Sequence, residues 1–594
     1  YLVFPEDRLH PIRMASDLPL RWIEAGPSTS FRCEAKRGEL LAFQIGLYAA
    51  RQAIEGLTAE PAPLAGGGGA FLPARGLTCI NTSGSDWLGR PIAKTVSVDQ
   101  GRVQALWFVF AVPRDARPGA YEGPLTLKPA NAPSTQVTLR LTVLDEVSPD
   151  GGVGNVSNHS RLAWLNSRIG LDDEVVAPYT PVEVSGNTLR VLGRSVTLDH
   201  TGLPAQIHCP GGDLLARPMA FSVERRGVEG RWTGGLPRLV NQAPGKVAYH
   251  AASAGSGLAL SCDVDAECDG YLNYRLVLRA DRDTEVSDVR LDIPFRRDQA
   301  TYMMGLKRKG GFRPDRWEWK WETAPHNSFW IGTAQAGLHC RLKTSDQSWD
   351  LGNSGFPPSW HNEGKGGASV FEEGDTVVAR VYTGRRSLRA GEELEFRFGL
   401  LITPVKPLDP AHWNQRYYHM YAPPEEAVAN GATVINIHHG NDLNQHINYP
   451  FLQTRELSDY VTRAHEKGLK VKIYYTVREL SDFCAEIWAL RSLGDEIFVD
   501  GPGGQKDSWL QEHLIDHYIP AWHQPLGPAR IDAAIATVGL SRWHNYYLEG
   551  LAWLIRNVGI DGLYLDGIGY DREIMKRARK AMDRARPGCL IDFH

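Results

Sequence analysis

The pattern of hydrophobic and polar positions divides the chain into two β-rich stretches followed by a stretch in which strands alternate with helices. In the first stretch, a dense apolar run at Val103 to Val112 is followed by a Pro/Gly turn. Residues Gln136 to Val143 then alternate polar and apolar side chains with a period of two, as a half-buried strand does. Short strands separated by such turns predict a β-sandwich for residues 1–147.

Residues 148–405 continue the two-residue period without a convincing amphipathic helix. Tyr271 to Arg279 and Leu394 to Ile402 are the clearest of these strands. A β-rich stretch of roughly 250 residues is too long for a small immunoglobulin-like module and predicts a larger two-sheet supersandwich. The strand pattern stops near Thr403 to Pro407, where we expect the linker to the third domain.

The third stretch, residues 406–594, alternates strands with helices, which predicts a parallel sheet closing as a (β/α)8-type barrel. The predicted helices are Glu456–Lys467, Ser541–Asn557 and Arg572–Arg586, and the predicted strands are Thr433–His439, Leu469–Tyr475, Asp495–Asp500, Gly562–Leu565 and Cys589–Phe593. About five β/α units is fewer than a barrel of eight needs. Either the barrel is truncated after residue 594 or the sheet is a shorter open one. We expect truncation, because an open sheet would expose strand edges.

Composition and charge exclude several classes of function. The net charge of −4 provides no basic surface for nucleic acid. No run of about 18 apolar residues is present, so no membrane insertion is expected. The eight cysteines lack the spacing of a zinc site, and we expect buried free thiols, with a Cys262–Cys268 bridge as the alternative. No cofactor and no metal are predicted, and oligomeric state is not addressed by the sequence.

The predicted strand ends carry the candidate chemistry, because catalytic groups of parallel barrels lie where strands end. Asp566 follows the strand Gly562–Leu565, and Asp592 lies on the last strand, close to His594. These two aspartates are the candidate catalytic residues, although Asp566-Gly567 is also ordinary turn chemistry. Acids, an arginine, histidines and tyrosines around one pocket suit sugar hydroxyls and an oxocarbenium-like transition state. The candidate substrate-binding residues are His438, His439, Asn441, Tyr475, Arg478, Glu479, Asp500, Trp509, Trp522 and Tyr570.

Two details of this set depend on local geometry. His438 and His439 are predicted to point to opposite sides of a strand, so that at most one faces the pocket.

Residues 501–538 are predicted to form a long lid or binding loop with an aromatic surface that includes Trp509 and Trp522. His513 and His517 in the same segment have helical spacing for a metal, which is a weaker interpretation because the ligand pattern is loose.

A second aromatic segment lies outside the barrel stretch. The run Trp317-Glu-Trp-Lys-Trp321 places three indoles on one face of a strand. Indole faces stack on sugar C–H surfaces, so this run is a candidate carbohydrate platform, but the interior of the sandwich or the contact with the barrel is the preferred interpretation.

Four separated motifs resemble one known family. They are SRLAWLNSRIGLDD at 160–173, GLKRKGG at 305–311, SRWHN at 541–545 and DGLYLDGIGYDR at 561–572. Together they are similar to bacterial proteins related to glycoside hydrolase family 123, in particular to a large group named after its N-terminal region. The resemblance implies β-sandwich domains leading into a (β/α)8 catalytic barrel. It also implies an exported bacterial glycosidase that degrades glycans.

The resemblance departs from the family at one position. Characterised members, which are N-acetyl-β-galactosaminidases, use an adjacent Asp-Glu pair, whereas Asp566 is followed here by Gly567. The arrangement also resembles retaining α-glycosidases, in which an aspartate closing strand four is the nucleophile. We therefore expect a glycoside hydrolase in which Asp566 is the nucleophile or orients an acetamido group. The alternatives are a non-catalytic glycan-binding protein and, less favoured, a metal-dependent hydrolase or lyase.

Overall fold

The structure, a computed structural model, describes residues 1–323, 326–344, 355–419, 421–501, 518–527, 530–567 and 570–594. The chain divides into two compact units. One contains residues 1–171 and 413–594, and the other contains residues 172–412. Among the described residues, no helix combines the length and the apolar character needed to cross a membrane.

Residues 1–147 form two main sheets that enclose one hydrophobic core. That core takes Phe43 and Phe108 from one sheet and Leu125 and Leu139 from the other. The first sheet contains, in spatial order, Leu2–Glu6, Leu40–Tyr48, Val103–Ala111 and Leu77–Cys79. The second contains Val96–Val98, Ile54–Pro61, Gly119–Lys128, Thr135–Val147 and Ser30–Arg37, with Leu64–Gly66 and Phe71–Leu72 beside them. A small hairpin pairs Ser83–Ser85 with Pro91–Ala93, and the helix Leu20–Ala25 and the 3₁₀ segments Gly67–Gly69 and Ala74–Gly76 lie in the same part. Two more 3₁₀ segments, Val156–Asn158 and Ser160–Asn166, follow it in the chain.

The second unit consists mostly of antiparallel strands around a shared core. Its largest sheet contains Thr233–Gly234, Lys246–Gly255, Leu258–Glu267, Tyr271–Ala280, Glu393–Thr403, Gly337–Lys343, Ser328–Gly332, Tyr302–Gly305 and Arg308–Phe312, with Arg238–Ala243 at its side. A second sheet contains Val228–Glu229, Ala220–Arg225, Asp288–Arg296, Thr376–Tyr382, Gly367–Glu373 and Arg316–Lys320. A third contains Glu183–Ser185, Thr188–Val191, Arg194–Leu198, Pro204–Cys209 and Gly212–Asp213. Thr284–Val286 pairs with Arg386–Leu388, and a short helix spans Pro358–His361.

The tryptophans of the run 317–321 lie in or against the core of this unit, and the cysteines of the chain form no disulfide. Trp319 and Trp321 are buried in the core of the second unit, and Trp317 packs against it. The preference for a core position of this run over an exposed carbohydrate platform is therefore confirmed. All eight cysteines are free, so the expected free thiols are confirmed and the alternative Cys262–Cys268 bridge is not formed.

The C-terminal part contains five parallel strands among its described residues, in the spatial order β1-β2-β3-β7-β8. In chain order, the strands and helices of the whole C-terminal part are β1 (Tyr417–Tyr418), α1 (Pro424–Ala429), β2 (Val434–Ile437), α2 (Thr454–Glu466), β3 (Lys470–Tyr474), β4 (Glu479–Ser481), α3 (Ile487–Arg491), β5 (Pro520–Pro525), β6 (Ile531–Ala536), α4 (Trp543–Asn557), β7 (Gly562–Leu565), α5 (Arg572–Ala585) and β8 (Leu590–Phe593). Of these strands, β4, β5 and β6 do not belong to the parallel sheet. Closure as a barrel of eight stays a prediction.

Two predicted elements of this part were wrong. Asp495–Asp500 is not a strand of the parallel sheet, because Gly494–Glu496 forms a 3₁₀ turn and only isolated bridges follow at Phe498 and Asp500. Residues 518–536, predicted to be loop, instead contain β5 and β6, which join β4 in an antiparallel sheet of three strands. This small sheet is inserted between β3 and α4 of the parallel sheet, next to the strand ends.

Candidate active site

The two faces of the parallel sheet differ in chemistry. Because side chains alternate along a strand, Ile435, Ile473 and Leu563 point to one face, where they join the large hydrophobic core that also holds α2 and α4. The opposite face is polar in its first layer. There Lys472 on β3 forms an ion pair with Asp592 on β8, and Asn436 on β2 donates a hydrogen bond to Asp592 Oδ2 at 3.3 Å.

Asp592 is held in this layer by its ion pair with Lys472 and is therefore not a free catalytic acid. The Lys472 side chain is fully buried, and burial lowers its pKa while the contact with Asp592 opposes that shift. The Tyr417 ring covers the Lys472 ammonium at 4.2 Å. Asp592 therefore compensates a buried cation inside the sheet, and the geometry favours a structural role for it.

Aromatic and imidazole rings form the next layer toward the strand ends. Tyr474 and Tyr564 lie side by side on adjacent strands in register, with ring centroids 6.0 Å apart. The rings of His438 and His419 lie 4.6 Å from Tyr474 and 4.7 Å from Tyr564, respectively. Burial lowers the pKa of both histidines. The result is a wall of flat, mostly uncharged rings below the strand ends.

Asp566 stands directly above this wall, at the end of β7. Its side chain is 38% exposed, so a ligand can reach it. His594 Nδ1 lies 3.2 Å from Asp566 Oδ1, and Arg478 Nη1 lies 3.6 Å from Oδ2. Arg478 Nη1 also donates a hydrogen bond to the Asp566 backbone oxygen at 3.2 Å. One carboxylate thus has contacts from two neighbouring strand ends.

Gly567, the position of the departure from the family pair, is constrained by its backbone. Its φ is +83°, in the left-handed region that favours glycine. A Cβ there would lie 3.1 Å from Arg478 Nη1, a tighter approach than side chains normally make. The local conformation therefore does not suit a glutamate after Asp566.

Glu479 brings a second carboxyl group next to Arg478. It is the first residue of β4, so the inserted sheet places it beside the strand ends. The Tyr474 hydroxyl donates a hydrogen bond to Glu479 Oε1 at 3.3 Å, and Arg478 Nε lies 4.0 Å from Oε2. Burial raises the pKa of the Glu479 carboxyl, against the opposing effects of Arg478 and the Tyr474 hydroxyl.

The inserted sheet is fixed to the loop after β2 by a buried aspartate. Asp532 on β6 accepts hydrogen bonds from the Ser481 hydroxyl and, at 2.8 Å, from the Ile447 backbone N–H. Gln524 on β5 also donates to the Gly440 carbonyl at 3.3 Å. These contacts hold β4, and with it Glu479, in a defined position.

The prediction that only one histidine of the pair faces the site was wrong. β2 ends at Ile437, so the alternation of a strand does not apply to His438 and His439. Both rings contact Tyr474 with centroid distances of 4.6 Å, and the His439 ring meets the Trp522 ring edge-on at 4.4 Å. Burial lowers the pKa of His439 to about 4. Both of its ring nitrogens are buried without a hydrogen-bond partner among the described residues.

Of the other residues predicted to bind substrate, one supports Asp566 and two make contacts within their own loops or backbone. Tyr570 donates a hydrogen bond to the Asp566 backbone oxygen at 3.3 Å and so supports the site. Asn441 folds back on its own loop, accepting from the Leu443 N–H and donating to the His438 carbonyl. Asp500 is exposed and pairs through its backbone with Tyr518. Trp509, His513 and His517 lie outside the described residues.

Tyr475 is not brought to the site. Its ring is buried in the core on the other face of the sheet, 4.6 Å from the Tyr547 ring. Tyr474 occupies the position expected of Tyr475, and sequence reasoning also missed Tyr564 and His419. The signal for Tyr474 and Tyr564 was the two-residue period, since each has the same parity as the polar residue at its strand end.

Two ranges of this chain match models of known protein domains. Residues 182–404 match the model of the glycoside hydrolase 123 third domain, and residues 409–594 match that of the glycoside hydrolase 123 TIM-barrel domain. Together these two ranges cover most of the chain. The search of curated proteins gave no match.

Solved structures give weak similarities. A family 123 glycoside hydrolase from Clostridium perfringens is 14% identical over 25% of this chain and 28% of its own, with a TM-score of 0.21. The galactosidase domain of the α-galactosidase-sucrose kinase AgaSK is 10% identical over 69% of this chain and 72% of its own, with a TM-score of 0.30. The α-N-acetylgalactosaminidase NagBb from Bifidobacterium bifidum is 11% identical over 70% of this chain and 76% of its own, with a TM-score of 0.27. At these scores the likenesses carry no conclusion about activity.

Proposed function

The chain belongs to glycoside hydrolase family 123, and we propose that it hydrolyses a glycosidic bond of an oligo- or polysaccharide, with Asp566 as the carboxylate that faces the anomeric carbon. The observation that carries this proposal is the position of Asp566. It is a reachable carboxylate at the end of a parallel strand, above a wall of rings. Positive charge develops at the anomeric carbon in the transition state of glycoside hydrolysis, and a carboxylate fixed there stabilises it.

The surrounding groups support a sugar as the ligand. His439 is buried with both ring nitrogens free of partners among the described residues, and its lowered pKa keeps it neutral near pH 7. A neutral imidazole can bond to a sugar hydroxyl without placing a positive charge beside a cationic transition state. The Trp522 indole, 36% exposed, offers an apolar face for sugar C–H groups.

The test is hydrolysis of a panel of 4-nitrophenyl glycosides of both anomers and of glycan mixtures. The wild-type protein is expected to release product from at least one, and Asp566→Asn to lose at least roughly a hundredfold in kcat/KM. Asp459→Asn, an exposed aspartate on α2, is the matched control and is expected to keep full activity. An Asp566→Asn variant with wild-type rates contradicts the role of this residue. Glycan binding by the wild type without any product would instead support the non-catalytic binding protein.

The role of Asp566 is resolved by a trapping experiment. If it is the nucleophile, a 2-deoxy-2-fluoro glycoside with a dinitrophenyl leaving group adds one fluorosugar to the protein mass, and Asp566→Asn abolishes that addition. If it orients an acetamido group, no adduct forms and hydrolysis is confined to N-acetylated sugars. Mass spectrometry of the intact protein separates the two outcomes.

A further inference from the structure

The site contains a second carboxyl group whose environment suits a proton donor. Glu479 is largely buried, with only 10% of its side chain exposed, yet it lies at the edge of the site beside Tyr474 and Arg478. A hydrolytic site that cleaves a glycosidic bond needs one carboxyl to protonate the leaving oxygen and one to face the anomeric carbon. Asp566 fills the second position, and Gly567 has no carboxyl to fill the first.

Arg478 connects the two acidic side chains. Its Nη1 lies 3.6 Å from Asp566 Oδ2, and its Nε lies 4.0 Å from Glu479 Oε2. Since one planar guanidinium lies between them, the two carboxyl groups are within roughly 10 Å of each other, close to the range of about 5 to 9.5 Å found in glycosidase pairs. Asp592, the other acidic candidate, is instead committed to buried Lys472.

Glu479 and Asp566 lie in different environments. A glycosidase pair requires such a difference, because one carboxyl group must carry a proton to donate and the other must act as a carboxylate. Burial raises the pKa of Glu479, so the folded protein retains its proton to a higher pH than an exposed glutamate would. The titratable and charged groups near Glu479 are Tyr474, Arg478, Asp566 and Tyr570. The negative charge of Asp566 adds to the upward shift of the Glu479 pKa, whereas a hydrogen bond from Asn448 opposes it. Asp566 is more exposed and has Arg478 and His594 as neighbours.

We propose that Glu479 is the catalytic residue that protonates the leaving oxygen when the glycosidic bond breaks. The proposal rests on the glycoside hydrolase function proposed above. In this step the C–O bond breaks with its electron pair on the leaving oxygen, which takes the proton from Glu479, while Asp566 faces the positive charge at the sugar. Water then adds its hydroxyl to the sugar carbon and returns its other proton to Glu479. The sum is one water consumed and two hydroxyl groups formed.

The experiment compares two substrates that differ only in leaving group. For a sugar that the wild type accepts, kcat/KM is measured on the phenyl and on the 2,4-dinitrophenyl glycoside. A phenyl leaving group needs the proton, whereas dinitrophenolate leaves without it. Glu479→Gln is expected to lose roughly a thousandfold on the phenyl glycoside and less than about tenfold on the dinitrophenyl glycoside. Activity on the second substrate also demonstrates that the variant is folded.

The pH profile provides an independent readout. In the wild type, kcat/KM on the phenyl glycoside falls on the alkaline side as Glu479 loses its proton, and Glu479→Gln lacks this limb. Glu486→Gln is the matched control, since Glu486 is also a buried glutamate bonded to a tyrosine hydroxyl, Tyr449 at 2.7 Å, but lies in the core. It is expected to change both substrates by the same factor.

The failure of this inference is distinguishable from failure of the proposed function. If Asp566→Asn loses activity but Glu479→Gln affects both substrates equally or neither, Glu479 is not the proton donor and the proposed function stands. If Asp566→Asn keeps wild-type rates, the assignment of the site itself is overturned.

Discussion

Two neighbouring tyrosines illustrate how strongly function depends on a single step along a strand. Tyr474 points to the polar face of the sheet and donates its hydroxyl hydrogen to Glu479. Tyr475 points to the opposite face, where its hydroxyl donates to the Tyr547 carbonyl at 3.4 Å within the core. Because both residues are tyrosines, composition gives no reason to prefer one, and only the parity of the strand distinguishes them.

The Tyr→Phe substitutions at these positions test that assignment. In Tyr474→Phe the carboxylate form of Glu479 loses a hydrogen bond, so the pKa of Glu479 rises further and the alkaline limb of kcat/KM moves to higher pH. Tyr475→Phe should leave the profile unchanged and cost about 1 kcal/mol or less in unfolding free energy, because its hydrogen bond is long. The measurements are pH–rate profiles and urea unfolding of both variants. A shifted profile in Tyr475→Phe alone would mean that the faces are exchanged.

At the scale of elements, α4 is held against the N-terminal part by buried polar side chains. Arg542, which precedes the helix, donates to the Ile80 carbonyl at 2.8 Å and forms an ion pair with Glu496. Asn545 donates to the Leu165 carbonyl at 2.9 Å and accepts from Arg577 of α5 at 2.7 Å. The SRWHN motif that marks the family resemblance therefore lies at an internal joint rather than at the active site.

Arg542→Ala is expected to destabilise this unit by about 3 kcal/mol, because it removes a buried guanidinium, leaves the Ser83 and Ile80 carbonyls without this donor, and leaves Glu496 paired with Lys94 alone. Burial by itself would raise the pKa of Glu496, and the hydrogen bonds and charges of Arg542 and, to a smaller extent, Lys94 reverse this and lower it. Arg556→Ala, at an exposed position on the same helix, is the control and should change stability by less than about 0.5 kcal/mol. Guanidinium unfolding curves measure both. Equal losses in the two variants would refute the importance of the joint.

The sequence predicted long, strongly periodic elements well and short ones poorly. The α2 helix was predicted at Glu456–Lys467 and spans Thr454–Glu466, with the expected buried face of Leu457, Tyr460, Val461 and Ala464. The two-residue strand Tyr417–Tyr418 has no readable period, and it was missed. The apolar pair Ile497-Phe498 is buried without belonging to the sheet, which shows that burial of a short run does not determine its secondary structure.

The candidate site was predictable only as far as strand ends could be located. Asp566, Arg478 and Glu479 follow strands that the pattern revealed, and the structure places them around one guanidinium. The position of Glu479 depends on the inserted sheet, in which β4 pairs with β6 about 55 positions later in the chain. Such long-range pairing leaves no local period in the sequence.

At the scale of the whole molecule, the C-terminal part shares one hydrophobic core with the N-terminal part. Trp22 and Trp107 of the N-terminal part belong to the same buried cluster as Leu551 of α4 and Ile473 of β3. The helix-facing side of the parallel sheet is thereby tied to residues more than 350 positions earlier in the chain. The geometry of the strand ends is therefore a property of this whole unit and not of the C-terminal segment alone.

Acid should weaken this unit through a histidine in that shared framework. His544 is buried at the start of α4, and burial, assisted by the charge of Arg577, lowers its pKa to about 4. The unfolded chain takes up a proton on this residue below about pH 6.5, whereas the folded protein does so only near pH 4. The stabilisation is therefore complete above about pH 6.5 and is lost as the pH falls toward 4. Between pH 7 and pH 5 the loss amounts to about 2 kcal/mol from this residue.

The variant His544→Gln separates the contribution of His544 to acid sensitivity from that of the carboxylates, because the carboxylates titrate alike in the variant and in the wild type. Unfolding by guanidinium, followed by tryptophan fluorescence at pH 7 and pH 5, should show a fall in unfolding free energy that is about 2 kcal/mol smaller in His544→Gln than in the wild type. Arg556→Ala keeps the histidine and should show the wild-type difference between the two pH values. If His544→Gln is weakened by acid as much as the wild type, then His544 does not remain neutral in the folded protein between pH 5 and pH 7, and the acid sensitivity of the unit has another source.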